Sequence, residues 1–425
     1  MFEEKSKVER QRMAWAVLLG SFVVCMVITI AIPFTANALV QNLSESLVIS
    51  VQSNQGTVGI ENTTGDRSAL LAGEDVLIGP GERVLTGGTA SALIAVNMPN
   101  EELLMARLQV YSNTDVTLLA AETPRFGVSD HENTLSLKLD DGRIRLTLPE
   151  FEERPSFVTI ASPQSDITIQ TPGQYTIIVN NDETQVTVQT GVLTVTTVES
   201  EASLSLAENE RGVVPTGEGP IGPLETERNL IANGDFSQEL NRWTIFPWQV
   251  ERADQPAGQV RVLDAGNEPR LNISREGVGH ADVLVRQSVN QDVAEVASLR
   301  LLVTFRILNQ SLEVCGVAGS ECPLFVRVNY VDGGGFSNTW QQGFYAVGEP
   351  IPEVQPDGCV TCAMVQDLHE RVRQLGQEYF YDFDLGEEIA RQGRVPPRFI
   401  ESIILVSSGH SFEVEVVDIA LLAAD

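Results

Sequence analysis

The stretch from Ala14 to Phe34, AWAVLLGSFVVCMVITIAIPF, carries no charged side chain, and none occurs from Met13 through Leu43. At 1.5 Å rise per residue, about 20 apolar residues cross the roughly 30 Å hydrocarbon core of a bilayer. The rest of the chain is therefore assigned to one side of a membrane. Lys5, Lys7, Arg10 and Arg12 precede the run, and the next basic residue after it is Arg67. Positive flanks stay cytoplasmic, so the expected topology is a single pass with the N-terminus inside and the bulk extracytoplasmic. The alternative is a signal peptide cleaved after Ala38, because Ala36-Asn37-Ala38 has the small-x-small form of a cleavage site and Pro33 precedes it. The apolar run is longer than the 7–15 residues of such a peptide's core, which favours the retained anchor. Cys25 reads as an ordinary membrane-helix residue.

Length and charge narrow the rest. The 425 residues suffice for two or three domains. With 28 basic against 58 acidic residues the net charge is −30, which excludes nucleic acid as a natural partner. Residues 1–13 are too few to bury a core and form a cytoplasmic tail, followed by the membrane helix (14–36) and a stalk (37–50).

From 51 to 211 the texture is period-2 alternation punctuated by Gly, Asn and Asp. Leu135, Leu137 and Leu139 alternate with Ser136 and Lys138; Ile144, Leu146 and Leu148 alternate with Arg143, Arg145 and Thr147. Between these runs Asp141-Gly142 predicts a hairpin turn. Further strands are expected at 157–161, 166–170, 174–179, 185–189 and 192–198, giving an all-β domain built as a sandwich or roll. Gly212 to Glu227, rich in Gly, Pro and Glu, reads as a linker. A second β domain spans 228–425. Within it Met364, Val365, Leu368, Val372 and Leu375 fall at helical spacing and predict one short amphipathic helix over Thr361–Gly376.

Two blocks carry family resemblances. Leu71, Gly73, Gly79, Val84, Thr86, Gly87, Ser91 and Leu93 fall on the opening pattern of the FecR-type extracytoplasmic domain, and blocks at Leu135–Leu148, Phe157–Pro172 and Gly173–Thr194 follow in that family's order. The resemblance implies an extracytoplasmic β-sandwich or roll. Signalling members of the family carry a cytoplasmic segment that contacts a sigma factor, and only residues 1–13 lie on that side here. The second block, Asn229–Ser237 (NLIANGDFS) with Trp243, resembles the opening of carbohydrate-binding modules with a galactose-binding-like jelly roll. The closing strands, Phe399–Ser407 and Phe412–Leu422, agree. In such modules an acidic residue near each end helps hold a structural calcium, which points to Asp235 and Asp418 as candidate metal ligands; calcium asks for six to eight oxygens.

Four of the five cysteines fall in this domain, at Cys315, Cys322, Cys359 and Cys362. In an exported chain they read as disulfides, with local bridges Cys315–Cys322 and Cys359–Cys362; the alternatives are zinc held by all four and, last, a redox Cys359-x-x-Cys362 at a helix start. No G-x-S-x-G elbow, H-E-x-x-H pair or phosphate loop is present, so no enzyme is indicated. Trp248, Trp340 and Tyr345 are the candidate ligand-stacking side chains. The expected protein is thus a membrane-anchored, extracytoplasmic, non-catalytic module that binds a glycan or an envelope protein. The alternatives are an envelope regulator acting on a sigma factor or membrane partner, and a secreted accessory protein of glycan-active enzymes.

Overall fold

The computed structural model describes residues 2–99, 103–151, 154–200, 202–349, 365–366, 369–391 and 393–424. The chain is mostly β-sheet. One helix, Phe2–Asn42, is continuous and includes a segment, Arg12–Ile32, long and apolar enough to cross a membrane. It takes in the first part of the expected stalk, up to Asn42, and strands begin at Ser44 and take up the rest.

The strands from Ser44 to Glu225 close into a flattened barrel of two layers. The outer layer runs in the order 67–71, 57–61, 83–86, 115–124, the first half of 133–148, 156–161, 165–169, 193–197 and 203–206. The inner layer runs 75–78, 48–55, 91–97, 104–110, the second half of 133–148, 173–179, 183–190, 210–215 and 221–225. Alternating side chains such as Leu135, Leu137, Ile144, Leu146, Ile160, Ile167, Ile177 and Val186 fill the space between them. This is the period-2 rule in operation, with one face of each strand buried against the other layer.

Two expectations change here. Asp141-Gly142 is not a hairpin turn: Asn133–Leu148 is one strand that crosses from layer to layer. Its first half pairs with 115–124 and 156–161, its second with 104–110 and 173–179, so the two halves do not pair with each other. Gly142 makes the crossing possible. Its φ is 97°, and a Cβ there would stand 2.4 Å from the Thr114 backbone. The stretch Gly212–Glu227 is likewise no free linker, because Glu210–Pro215 and Ile221–Glu225 form the edge hairpin of the inner layer.

The second domain is a sandwich of two antiparallel sheets in the jelly-roll manner. The near sheet, which faces the first domain, has the order 259–265, 268–275, 412–424, 298–310, 378–384. The far sheet has the order 244–248, 281–292, 397–409, 324–332, 337–345. Its core is separate from the first and includes Phe305, Trp340, Phe344, Ile403, Leu421 and, from the opening motif, Phe236 and Trp243. The expected helix over Thr361–Gly376 does not form where that segment is described. Val365–Gln366 and Glu370–Arg371 instead add short parallel edges to 337–345, and the Val372 amide donates to the Tyr345 carbonyl. The short helix lies at Leu385–Arg391. Its Leu385 and Ile389, one turn apart, are buried, and Asp384 accepts from the Glu387 amide at its start.

Candidate functional site

The outward face of the inner layer meets the outward face of the near sheet, and both contribute charge. In the strand Leu104–Val110, Ala106, Leu108 and Val110 point into the first core, while Arg107 and Gln109 point to the second domain. Arg107 is 3% exposed. Its Nη1 and Nη2 donate to the two oxygens of Glu268, and its Nε and Nη2 reach Glu378 at 2.5 and 3.1 Å. Burial alone would lower the Arg107 pKa, but Glu378 and Glu268 outweigh it and raise the value above the ordinary arginine range. Burial would likewise raise Glu268, and Arg107 and Arg270 overcome it and hold the carboxyl below its usual range.

The layer continues on both sides of this pair. Gln109 Nε2 donates to Thr304 Oγ1 at 2.8 Å. Arg145 Nη2 lies 3.2 Å from an Asp418 oxygen and donates to Gln174 Oε1 at 2.7 Å. Arg143 stacks on the Tyr111 ring at 4.2 Å and lies 3.6 Å from Asp382, which also accepts from Arg300. Tyr111 packs edge-on against Phe380, their ring centroids 5.4 Å apart. Asn54 brackets Phe380 as a strand would, its amide donating to the Phe380 carbonyl at 3.2 Å and accepting from the Phe380 amide at 3.0 Å. First-domain arginines thus face second-domain carboxylates across a largely buried seam. Bidentate guanidinium–carboxylate geometry of this kind fixes register as well as attraction.

At one margin of the seam lies a groove of about 400 Å³. It is lined from the first domain by Thr147, Glu150, Gln174 and Thr190 and from the second by Asp235, Asn267 and Asp418, with Leu148, Pro149, Pro172, Pro269 and Val417 as apolar wall. Its volume is in the range of small-ligand sites, which favour domain junctions. Asn267 Nδ2 donates to the carbonyls of Leu104 and Glu150, while its Oδ1 is buried without a partner. Arg145, which bonds two lining residues, also keeps Nε and Nη1 buried without hydrogen-bond partners.

The structure brings Asp235 and Asp418, from opposite ends of the second domain, to this one groove. It does not leave them as a calcium pair. Asp418 is taken by Arg145, and Asp235 Oδ1 accepts from the Ser237 hydroxyl and amide at 3.0 and 3.3 Å. The zinc expectation is corrected as well. Cys315 and Cys322 are joined in a disulfide, which removes two of the four thiolates. His369 beside them uses both ring nitrogens within the protein, Nδ1 accepting from the Gly343 amide and Nε2 bonded to the Gly319 carbonyl. Burial keeps its pKa below the ordinary histidine value. Cys359 and Cys362 lie outside the described residues.

Of the stacking candidates, Trp340 is 2% exposed and packs on Phe383 inside the sandwich, and Tyr345 is wholly buried under the disulfide loop. Neither offers a ring face to a ligand. Trp248 does: it is 57% exposed on the edge strand Thr244–Trp248, opposite Asp282. Sequence reasoning missed Arg107, Gln109, Arg145, Gln174, Asn267 and Glu268. The available signal was complementarity, with arginines on the polar positions of 104–110 and 143–147 and carboxylates on those of 268–275, 378–384 and 412–418.

No protein-family profile matches the chain, and no curated protein matches it. Among solved structures, a candidate anti-sigma factor from Parabacteroides distasonis is similar at 15% identity over 33% of this chain, with a TM-score of 0.24; the chain spans 57% of that protein. A family 11 carbohydrate-binding module from Clostridium thermocellum, in complex with a β-1,3-1,4-mixed-linked tetrasaccharide, is similar at 10% identity over 47% of this chain and 96% of the module, with a TM-score of 0.27. A carbohydrate-binding module in complex with β-1,4-galactotriose gives 12%, 46%, 99% and 0.25. At these scores the likeness carries no functional conclusion.

Proposed function

We propose that this is a membrane-anchored, extracytoplasmic, non-catalytic protein that binds a glycan or another envelope component in the groove between its two domains. The groove carries the reading. Its amide, hydroxyl and carboxylate groups suit the hydroxyls of a polyol, and its proline and leucine wall suits the apolar faces of sugar rings. Arg107, the only arginine lining it among the described residues, is committed to Glu268 and Glu378, while Glu150 and Asp235 add negative charge. A neutral or amine-bearing sugar therefore fits better than a uronate, sulfate or phosphate ester. Trp248, carried on the far sheet and not among the groove's lining residues, is a separate candidate stacking position.

The test is a glycan array and a peptidoglycan pull-down with the full chain in detergent, repeated with Gln174→Ala, Asn267→Ala and Trp248→Ala. The groove reading expects binding of neutral or amino sugars, weakened about 5-fold or more by loss of a buried hydrogen-bonding group at Gln174 or Asn267. Binding unaffected by both groove substitutions and abolished by Trp248→Ala would move the site to the far sheet. A second reading, signalling to a sigma factor or membrane partner, draws on the unbroken helix from Phe2 to Asn42, which joins the tail to the outer domain. Deleting Phe2–Glu9 would then change transcription in the host.

A further inference from the structure

The end of the long helix is clasped by one loop of the first domain. Gln41 Nε2 donates to the Val128 carbonyl at 3.3 Å, and Gln41 Oε1 accepts from the Asp130 amide at 2.9 Å. The Ser129 hydroxyl donates to the Gln41 carbonyl at 2.9 Å, and the Arg125 amide donates to the Leu43 carbonyl at 2.9 Å. Arg154 braces the loop from the other side, its two Nη groups reaching the carbonyls of His131 and Phe126. The helix is therefore not a flexible tether, and the loop sits at a fixed height along it.

That height follows from helix geometry. The apolar run ends at Phe34. Helical side chains lean toward the N-terminus, so Gln41 covers the turn before its own Cα, about level with Ala38. Four residues at 1.5 Å place that level about 6 Å beyond Phe34. The headgroup layer on each side of a bilayer is itself about 5–7 Å thick. At this level the loop presents Val128, 72% exposed, and Phe126, with Leu39 exposed on the helix and Leu43 just past its end. Arg125 and Arg154 supply positive charge there, in a chain whose net charge is −30. A clustered apolar tip at headgroup depth, with Arg125 on one flank, Arg154 beside it and the exposed Asp130 on the other flank, has the composition of an interfacial membrane contact.

We propose that the loop 125–131 is a second membrane contact, seating Phe126 and Val128 in the headgroup layer of the extracytoplasmic leaflet with Arg125 and Arg154 toward anionic lipid phosphates. This rests on the helix being a retained anchor. The contact fixes the orientation of the first domain on the bilayer.

The test uses the full chain in nanodiscs of phosphatidylethanolamine and phosphatidylglycerol, with benzoylphenylalanine placed singly at Val23, Phe126, Val128 or Phe336. Phe336 is the control, 72% exposed on a hairpin turn of the second domain. After irradiation, mass spectrometry should find lipid adducts at Val23, Phe126 and Val128 and none at Phe336. Adducts at Val23 without any at Phe126 or Val128 would overturn the loop contact and leave the anchor standing. No adduct at Val23 would remove the anchor, and the loop contact with it. Adducts of equal yield at Val128 and Phe336 would mark chance encounters and overturn the assignment.

Discussion

The interiors of the two sandwiches and the heart of the seam between them are both buried and chemically opposite. Leu108 and Arg107 are neighbours on one strand, and both are buried. Leu108 lies among apolar side chains, where removal from water is itself favourable. Arg107 lies among carboxylates, where removal from water is costly and only the completed set of ion pairs offsets it. The core therefore tolerates a change of shape if volume is kept, whereas the seam does not tolerate the loss of one partner.

The sharpest way to break this contrast is to truncate both residues in turn. Leu108→Ala should cost about 2–5 kcal/mol by transfer and cavity formation. Arg107→Ala should cost about 3–5 kcal/mol, because Glu268 and Glu378 are left buried and uncompensated. The difference appears with the conservative variants. Leu108→Met should cost less than about 1.5 kcal/mol, while Arg107→Lys, which cannot hold both carboxylates in bidentate geometry, should recover little of the loss. Urea unfolding at constant m-value measures all four.

These same two residues show what was legible in the sequence. The strands of the first core follow from alternation, since Leu135, Leu137, Ile144 and Leu146 each return to one face. The single anchor-like helix follows from the uncharged run. The seam was not legible, because Arg107, Arg145 and Glu268 occupy positions that alternation assigns to solvent; their burial depends on a second domain more than a hundred residues away. Gly142 misled for a related reason. Asp-Gly between alternating runs is a hairpin signal only if the runs pair with each other, and here each run had better partners elsewhere. Asp235 and Asp418 were drawn as a calcium pair on family resemblance, and the partner that takes Asp418, Arg145, belongs to the other domain.

A smaller effect separates the seam from the opposite side of the second domain. There a local cluster of Leu284, Phe325, Tyr345 and Val406 is covered by the loop that the Cys315–Cys322 disulfide closes. Replacing both cysteines by serine should cost about 2–3 kcal/mol, as expected for so short a loop. The seam ion pairs should be unaffected, so Arg107→Ala added to that double substitution should be additive within about 0.5 kcal/mol.

The smallest effect is expected from a charged cluster at the edge of the same face. His280 Nδ1 lies 2.8 Å from Glu321 and Nε2 lies 3.2 Å from Asp282. The Asp282 and Glu321 carboxylates, which accept from or pair with the imidazolium, raise its pKa to about 10. A raised value means that the imidazolium stabilises the fold fully below its unfolded pKa of about 6.5, and that this contribution is lost as pH rises through about 10. The thermal midpoint should therefore fall between pH 7 and pH 10, and His280→Gln should flatten that fall. An unchanged slope in the variant would assign the titration to another group.

The account centres on the seam as the element that makes two sandwiches one unit with a groove at its margin. Scanning calorimetry of the full chain in detergent addresses it directly. One cooperative transition for both domains is predicted, splitting into two in Arg107→Ala as the domains uncouple. Two independent transitions in the unaltered protein, neither moved by Arg107→Ala, would contradict it.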